Sequence, residues 1–349
     1  MKKLLLLHLL LAMFLGAQTV KADVVLNATN FPDPNFRSYI SGLTGVSDGS
    51  TISNSKLANV KTIMVDHKGI ISLKGIEYFT ELTDLCCEFN QLTSLDVSKN
   101  TKLTILWCHT NRLSSLDVSK NTELTSLVCD GNQLTSLDVS NSTKLIKLEC
   151  YSNRLISLNV SNNTKMTTLD CSDNQLTSLN LLNNFNLIHF TCSNNQLTSF
   201  NVSNNTYLKT FNCGNNRLTT TLNVMNNPHL TSLKCPDNQL SRLDVSRNAE
   251  LEDLFCDNNN LTSLDVSNNT ELDNLCCNGN PLTSLDVSKN TKLTRLECFK
   301  TQLTSLDVSK NTELTILDCS FNQLSSLDVS NNTKLKELTC NYNNIGYLY

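Results

Sequence analysis

The chain is short of most features that carry familiar chemistry. It has ten glycines in 349 residues and lacks the Gly-rich nonapeptide of calcium-binding β-rolls. After Leu15 no segment is apolar enough to span a bilayer, and the C-terminus has no hydrophobic tail. Basic residues do not exceed acidic ones (28 Lys and Arg against 32 Asp and Glu), which argues against nucleic acid and anionic membranes as main partners. His109 and His189 have no Ser or Cys nucleophile in an activating arrangement. Asp48-Gly49-Ser50 lacks the alternating acids and final Glu of a calcium loop and reads as a plain turn. Tryptophan occurs once, at Trp107.

The beginning of the chain differs from the rest. Lys2 and Lys3 precede an apolar stretch from Leu4 to Leu15, and Val20-Lys21-Ala22 fits a small-residue cleavage site. Residues 1–22 therefore read as a signal peptide, and the protein as secreted or held at the cell surface. The apolar stretch is shorter than the ~20 residues a spanning helix needs, so no membrane insertion is expected. No cysteine follows closely enough for a lipoprotein anchor. Removing this segment takes the formal charge from −4 to −7.

What the chain does have is a period. From Cys87 to Cys340 a cysteine returns thirteen times, every 21 residues except for one step of 22 between Cys213 and Cys235. A fixed period in this range means a solenoid, each repeat one coil stacked on the next. In the unit LTILWCHTNRLSSLDVSKNTE, Leu103, Leu106 and Cys108 point inward and Trp107 outward, the alternation of a short strand. Its second half, Leu113, Leu116, Val118 and Asn121, nearly copies the first. Residues 23–62 are not repetitive and read as a small helical N-terminal cap. Asp33-Pro34 starts one helix, bearing Phe36, Tyr39 and Ile40, and a second short helix carries Leu57 and Val60. Residues 63–349 then form an irregular first coil and thirteen regular rungs, with Val65 standing in the cysteine column.

The unit LxxLxCxxNxL resembles the leucine-rich repeat, with cysteine in its third apolar position, over residues 63–349. The nested LDVSxN half is similar to that of secreted and surface bacterial proteins of this family, and the first coil is similar to the caps of internalin-like proteins. The resemblance implies a β-rich repeat solenoid, an arc with a parallel concave β-sheet. It also implies ligand binding, to protein or glycan, without catalysis or cofactor. Thr301 and Ser142 depart from the two asparagine positions, and Asn159, Asn180, Asn201 and Asn223 from the LDV aspartate.

The columns sort the residues by task. Cys87, Cys108, Cys129 and their successors occupy the inward strand position. Adjacent rungs set them ~5 Å apart with parallel side-chain directions, poor for a disulfide dihedral and for tetrahedral metal binding. They read as buried thiols acting as small hydrophobes. Cys86 and Cys276 stand outside the column and read as outward-facing. Asn90, Asn111, Asn132 and their successors read as a ladder that satisfies backbone groups. The LDV aspartates, such as Asp96 and Asp244, stack like charges that need compensation from nearby lysines and hydroxyls.

Ligand-binding candidates are the outward residues around each strand. Phe89, Trp107, His109, Glu149, Tyr151 and Asp170 gather on the N-terminal rungs, and Phe255, Phe299, Phe321 and Tyr342 on the C-terminal ones. Between them the same columns hold Thr191, Ser193, Asn212 and Gly214. Exposed aromatics are favoured binding anchors. Two other functions fit parts of the sequence. Ile345 and Leu348 open a half-coil that does not complete, which makes a self-assembling scaffold, or an end-to-end homodimer through an uncapped C-terminal rung, an alternative. The column neighbours Glu149 with Asp170, and Glu297 with Asp318, have the ~5 Å carboxylate spacing of a retaining glycosidase.

Overall fold

In the computed structural model, residues 23–219 and 221–348 are described; the signal-peptide reading of residues 1–22 lies outside them. A single parallel sheet of 14 strands runs in chain order from β3 (Thr62–Met64) to Glu337–Thr339. Each strand is three residues long, and its register follows the repeat: Leu106 sits opposite Leu127, and Phe211 opposite Leu233 across the 22-residue step. Parallel strands need a crossover connection, and here the rest of each coil supplies it.

The core is a column. The central strand leucine, the following cysteine, and the leucine and valine of the second half are buried in rung after rung. All fifteen cysteines are free, fourteen of them buried and Cys340 partly so. Some thiols point at the next rung: Cys171 Sγ lies 3.6 Å from the Thr191 carbonyl oxygen and Cys256 Sγ 3.5 Å from that of Cys276. In the middle rungs phenylalanine replaces leucine. Phe190 and Phe211 stack at 5.3 Å, with Phe200 edge-on to both.

Asparagines tie the coils together. Asn195 Nδ2 donates to the carbonyls of Cys171, Cys192 and Ser193 at 3.0–3.2 Å. Its Oδ1 accepts from the Leu176 N–H at 2.9 Å. Thr301 fills the gap in this ladder by bonding the Cys298 carbonyl and Asn322 Oδ1. A second column runs through the other half-coil; Asn205 Nδ2 donates to the carbonyls of Leu181 and Asn184. The Oδ1 atoms of this column are buried without a donor, so each member contributes fewer bonds and Ser142 takes one such place.

Of the two expected sources of compensation for the LDV aspartates, hydroxyls outweigh lysines, and the serine backbone N–H joins them. Asp96 Oδ1 accepts from the Ser98 N–H at 2.9 Å, and the same turn recurs at Asp117, Asp138, Asp244, Asp265, Asp286, Asp307 and Asp328. These serine bonds are the main cause holding Asp96 below its ordinary range, ahead of Lys99.

The N-terminal end is covered by two helices and a pair of strands. α1 (Pro34–Thr44) begins at Asp33, whose Oδ1 accepts from the N–H groups of Asn35 and Phe36. Its Oδ2 accepts from the Ile71 N–H at 2.7 Å, so one carboxylate caps the helix and fastens it to the first coil. α2 (Asn54–Asn59) carries the buried Leu57. β1 (Val24–Val25) pairs antiparallel with β2 (Thr51–Ile52), an element the sequence pattern did not suggest. Gly75, at φ 106°, lets the chain pass Phe31, since a Cβ there would lie 2.2 Å from the ring.

Candidate binding surface

Three columns project from the sheet and its rim. The third residue of each strand brings Trp107, Glu149, Asp170 and Phe255 onto the face, and the residue after each ladder cysteine brings His109, Tyr151 and Phe299 beside them. The next position is left-handed on every rung, with φ between 50° and 64° from Ser152 to Gly279.

That left-handed column separates the molecule into three parts. L-residues other than Gly, Asn and Asp lose about 1–2 kcal/mol in this conformation. From residue 173 to 279 it holds Asp173, Asn194, Asn215, Asp237, Asn258 and Gly279, the types that adopt it most readily. At the two ends it holds His67, Phe89, Thr110, Gly131, Ser152, Lys300, Phe321 and Tyr342, so Gly131 is the one permissive residue outside the middle rungs. The aromatics among these are stacked and exposed. The rings of His67 and Phe89 lie 4.2 Å apart, and those of Phe321 and Tyr342 likewise 4.2 Å. Phe89 is 44% exposed, Phe321 51% and Tyr342 68%.

The N-terminal residues form one connected cluster. The Phe89 ring meets His109 edge-on at 5.0 Å. Asp130, which the sequence reading passed over, neighbours Tyr151 and stands 4.0 Å from His109 Nδ1. Burial holds the Asp130 carboxyl above its ordinary range, and burial together with the neighbouring Asp130 carboxylate pushes the Tyr151 phenol up to about 12. The 21-residue register alone puts His109, Asp130 and Tyr151 on successive rungs. Trp107 is only half-exposed, because its Nε1 donates to Ser126 Oγ at 3.2 Å and its ring leans on the next rung. Glu149 pairs with Lys147 at 3.0 Å, and Asp170 Oδ1 accepts from both the N–H and the hydroxyl of Ser172.

The C-terminal candidates do not form one cluster. Phe255 lies under Lys234, whose Nζ is 5.0 Å from the ring centroid. Phe299 is half-buried, and its N–H donates to Asn278 Oδ1. Phe321 and Tyr342 stack by themselves at the rim. Eleven rungs at ~4.8 Å separate Phe89 from Phe321, roughly 50 Å, so one small ligand does not touch both ends.

Cys86 and Cys276 correct the sequence reading. Both are buried, because larger neighbours on adjacent strands cover them: Trp107 follows Cys86 in its column, and Phe255 and Glu297 flank Cys276. Burial pushes the thiols up to about 11 and about 12 respectively. Among the described residues no group of His, Cys, Asp and Glu is arranged to hold a metal ion, and no helix is long and apolar enough to cross a membrane.

A short-stranded parallel solenoid with an inward asparagine ladder is a leucine-rich repeat protein. No family model matches the chain. The solved functional domain of InlJ from Listeria monocytogenes, described as including a cysteine ladder, superposes with a TM-score of 0.90 at 38% identity, covering 95% of this chain and 74% of that one. An internalin, inlF, from L. monocytogenes str. 4b F2365 gives a TM-score of 0.83 at 22% identity over 92% of this chain and 98% of its own, a likeness of fold. Internalin J of L. monocytogenes serotype 4b (strain F2365) is 38% identical over 71 residues, 20% of this chain and 8% of that protein's length. The chain belongs to the internalin-like leucine-rich repeat proteins.

Proposed function

We propose that this is a non-catalytic binding protein, exported by residues 1–22 and retained at or released from the cell surface. Residues 23–62 cap the solenoid, and residues 63–349 hold a protein or glycan ligand on the concave face. The left-handed column is the observation that carries this reading. Its bulky aromatics sit where Gly or Asn is cheaper, at both ends of the sheet and exposed, while the middle rungs use the cheap residues. Backbone strain of this kind persists where the side chain is needed. The primary contact is the N-terminal cluster, where Phe89, Trp107, His109 and Tyr151 offer ring faces next to the carboxylates of Glu149 and Asp170, while Asp130 is buried beneath the surface. Rings beside hydrogen-bond acceptors suit both sugar rings and protein side chains.

The carboxylate pairs are engaged locally, Glu149 by Lys147 and Asp170 by Ser172, which favours binding over glycoside hydrolysis. A protein and glycan array probed with the chain from residue 23, and again with Trp107→Ala, tests the reading. Ligand capture that drops in the variant supports it; capture unchanged by Trp107→Ala moves the site elsewhere.

A second reading is end-to-end pairing of two chains. Leu338 and Cys340, unlike their counterparts in earlier rungs, are only partly buried, and the strand Glu337–Thr339 is the edge of the sheet. An edge strand is a template for pairing. The mass in solution decides it: a dimer supports pairing, a strict monomer contradicts it.

A further inference from the structure

The middle rungs, bland on the concave face, are irregular at the entry edge of the sheet. In the turn just before each strand, the regular rungs alternate acid and base. Glu81 pairs with Lys102, Glu123 with Lys144, Glu271 with Lys292 and Glu313 with Lys334, each at 2.5 Å. Between the second and third of these pairs the alternation fails: the column reads Lys165, Asn186, Tyr207, His229, Glu250, and only the last two pair, at 3.1 Å. Lys165 is left without an acid, and Lys209, two residues beyond Tyr207, also makes no ion pair among the described residues. These side chains, Glu250 among them, line an open groove of about 600 Å³ together with Ile188.

Two further changes fall on the same rungs. The LDV aspartate becomes Asn159, Asn180, Asn201 and Asn223, yet each asparagine keeps the turn bond, its Oδ1 accepting from the N–H two residues on at 2.9–3.1 Å. The turn is served equally by either residue, so the substitution changes charge alone and removes four carboxylates from this stretch. Serine and threonine of the regular repeat also become Leu182, Phe185 and Met225, which are 42%, 48% and 37% exposed, alongside Tyr207 at 58%. An acidic protein has here a stretch that is partly apolar and depleted of acids, in which the groove's one carboxylate, Glu250, is paired with His229 and two lysines have no ion-pair partner among the described residues.

We propose that this groove is a second binding site, distinct from the concave face, for an acidic peptide segment of a partner protein. Carboxylates of the segment meet Lys165 and Lys209, and its apolar side chains lie on Ile188 and Tyr207. Charge complementarity fixes the sign of the partner, and the apolar side chains favour a peptide over an acidic polysaccharide, which has nothing to place on them.

The test uses the full chain and labelled synthetic peptides in which Asp and Glu alternate with Leu and Phe, with dextran sulfate as the polysaccharide probe. Fluorescence anisotropy is expected to show salt-sensitive binding, weakened about tenfold or more by Lys165→Glu with Lys209→Glu. Asn180→Asp with Asn201→Asp should weaken it in the same direction without unfolding, because aspartate already serves this turn on other rungs. Trp107→Ala should leave it unchanged, which separates this site from the concave one. Absence of peptide binding, affinity unaffected by both charge variants, loss of binding in Trp107→Ala, or dextran sulfate binding more tightly than the peptides would each overturn the proposal.

Discussion

Phe321 and Tyr342 stack at 4.2 Å with their ring planes 17° apart, and both stand on left-handed backbone at φ 52° and 56°. Stacking of this kind contributes about 0.5–1.5 kcal/mol, close to the cost of the conformation. Phe321→Asn, the residue type at Asn194 and Asn215, is therefore expected to change stability by less than about 1 kcal/mol in chemical denaturation. Ligand capture at the C-terminal rim should fall nonetheless. A large loss of stability would mean that the ring holds the fold and is not there for a ligand.

The ladder asparagines should behave in the opposite way. Asn195→Ala orphans the buried Leu176 N–H and takes one of two donors from each of the Cys171 and Cys192 carbonyls, which keep Asn174 Nδ2 and Asn216 Nδ2. The orphaned N–H costs about 1–3 kcal/mol and the lost bonds to the carbonyls add to it, so a loss of about 2 kcal/mol or more is expected. Asp244→Asn keeps the acceptor for the Ser246 N–H and should lie within about 0.5 kcal/mol of the parent. Equal losses in the two variants would contradict the division of labour between the columns.

Buried thiols should be silent. With fourteen cysteines buried, a thiol reagent applied to the native protein should react promptly with Cys340 at most, and with all fifteen after denaturation. Cys86 and Cys276, pushed up to about 11 and about 12, are not reactive surface groups. Rapid native labelling at either would contradict their burial.

The pH dependence carries two opposed signs. The carboxyls of Asp130 and Asp170 are raised, chiefly by burial, so their contribution to stability is full below the unfolded value near ~3.9 and is lost as pH rises through their folded values. The lowered LDV aspartates, such as Asp96 and Asp307, contribute above that value and lose their contribution as pH falls through their folded values. Asp130→Asn should therefore gain on the parent in thermal stability as pH rises from about 4 toward neutrality. A stability difference that does not vary with pH would contradict the raised carboxyl.

Much of this was legible in the repeat. A period of 21 residues phases every position, so the inward cysteines, the asparagine ladder and the outward columns follow from counting. Burial by a neighbouring rung does not. Cys86 and Cys276 sit in an outward column, and only the size of Trp107, Phe255 and Glu297 beside them closes the space. The left-handed column was hidden for another reason: its sequence is too varied, from Gly131 to Tyr342, to announce a common φ. Asp130 was legible by register and missed because no ring drew attention to it.

The central claim is that the N-terminal rungs of the concave face are the primary ligand-binding surface. Its most direct test is affinity for a ligand captured by the array, measured by calorimetry on the parent, on Trp107→Ala and on Phe89→Asn, with thermal melts to confirm that each is folded. The account predicts intact folding and a loss of about tenfold or more in affinity for both variants. Parent-like affinity in two folded variants would contradict it.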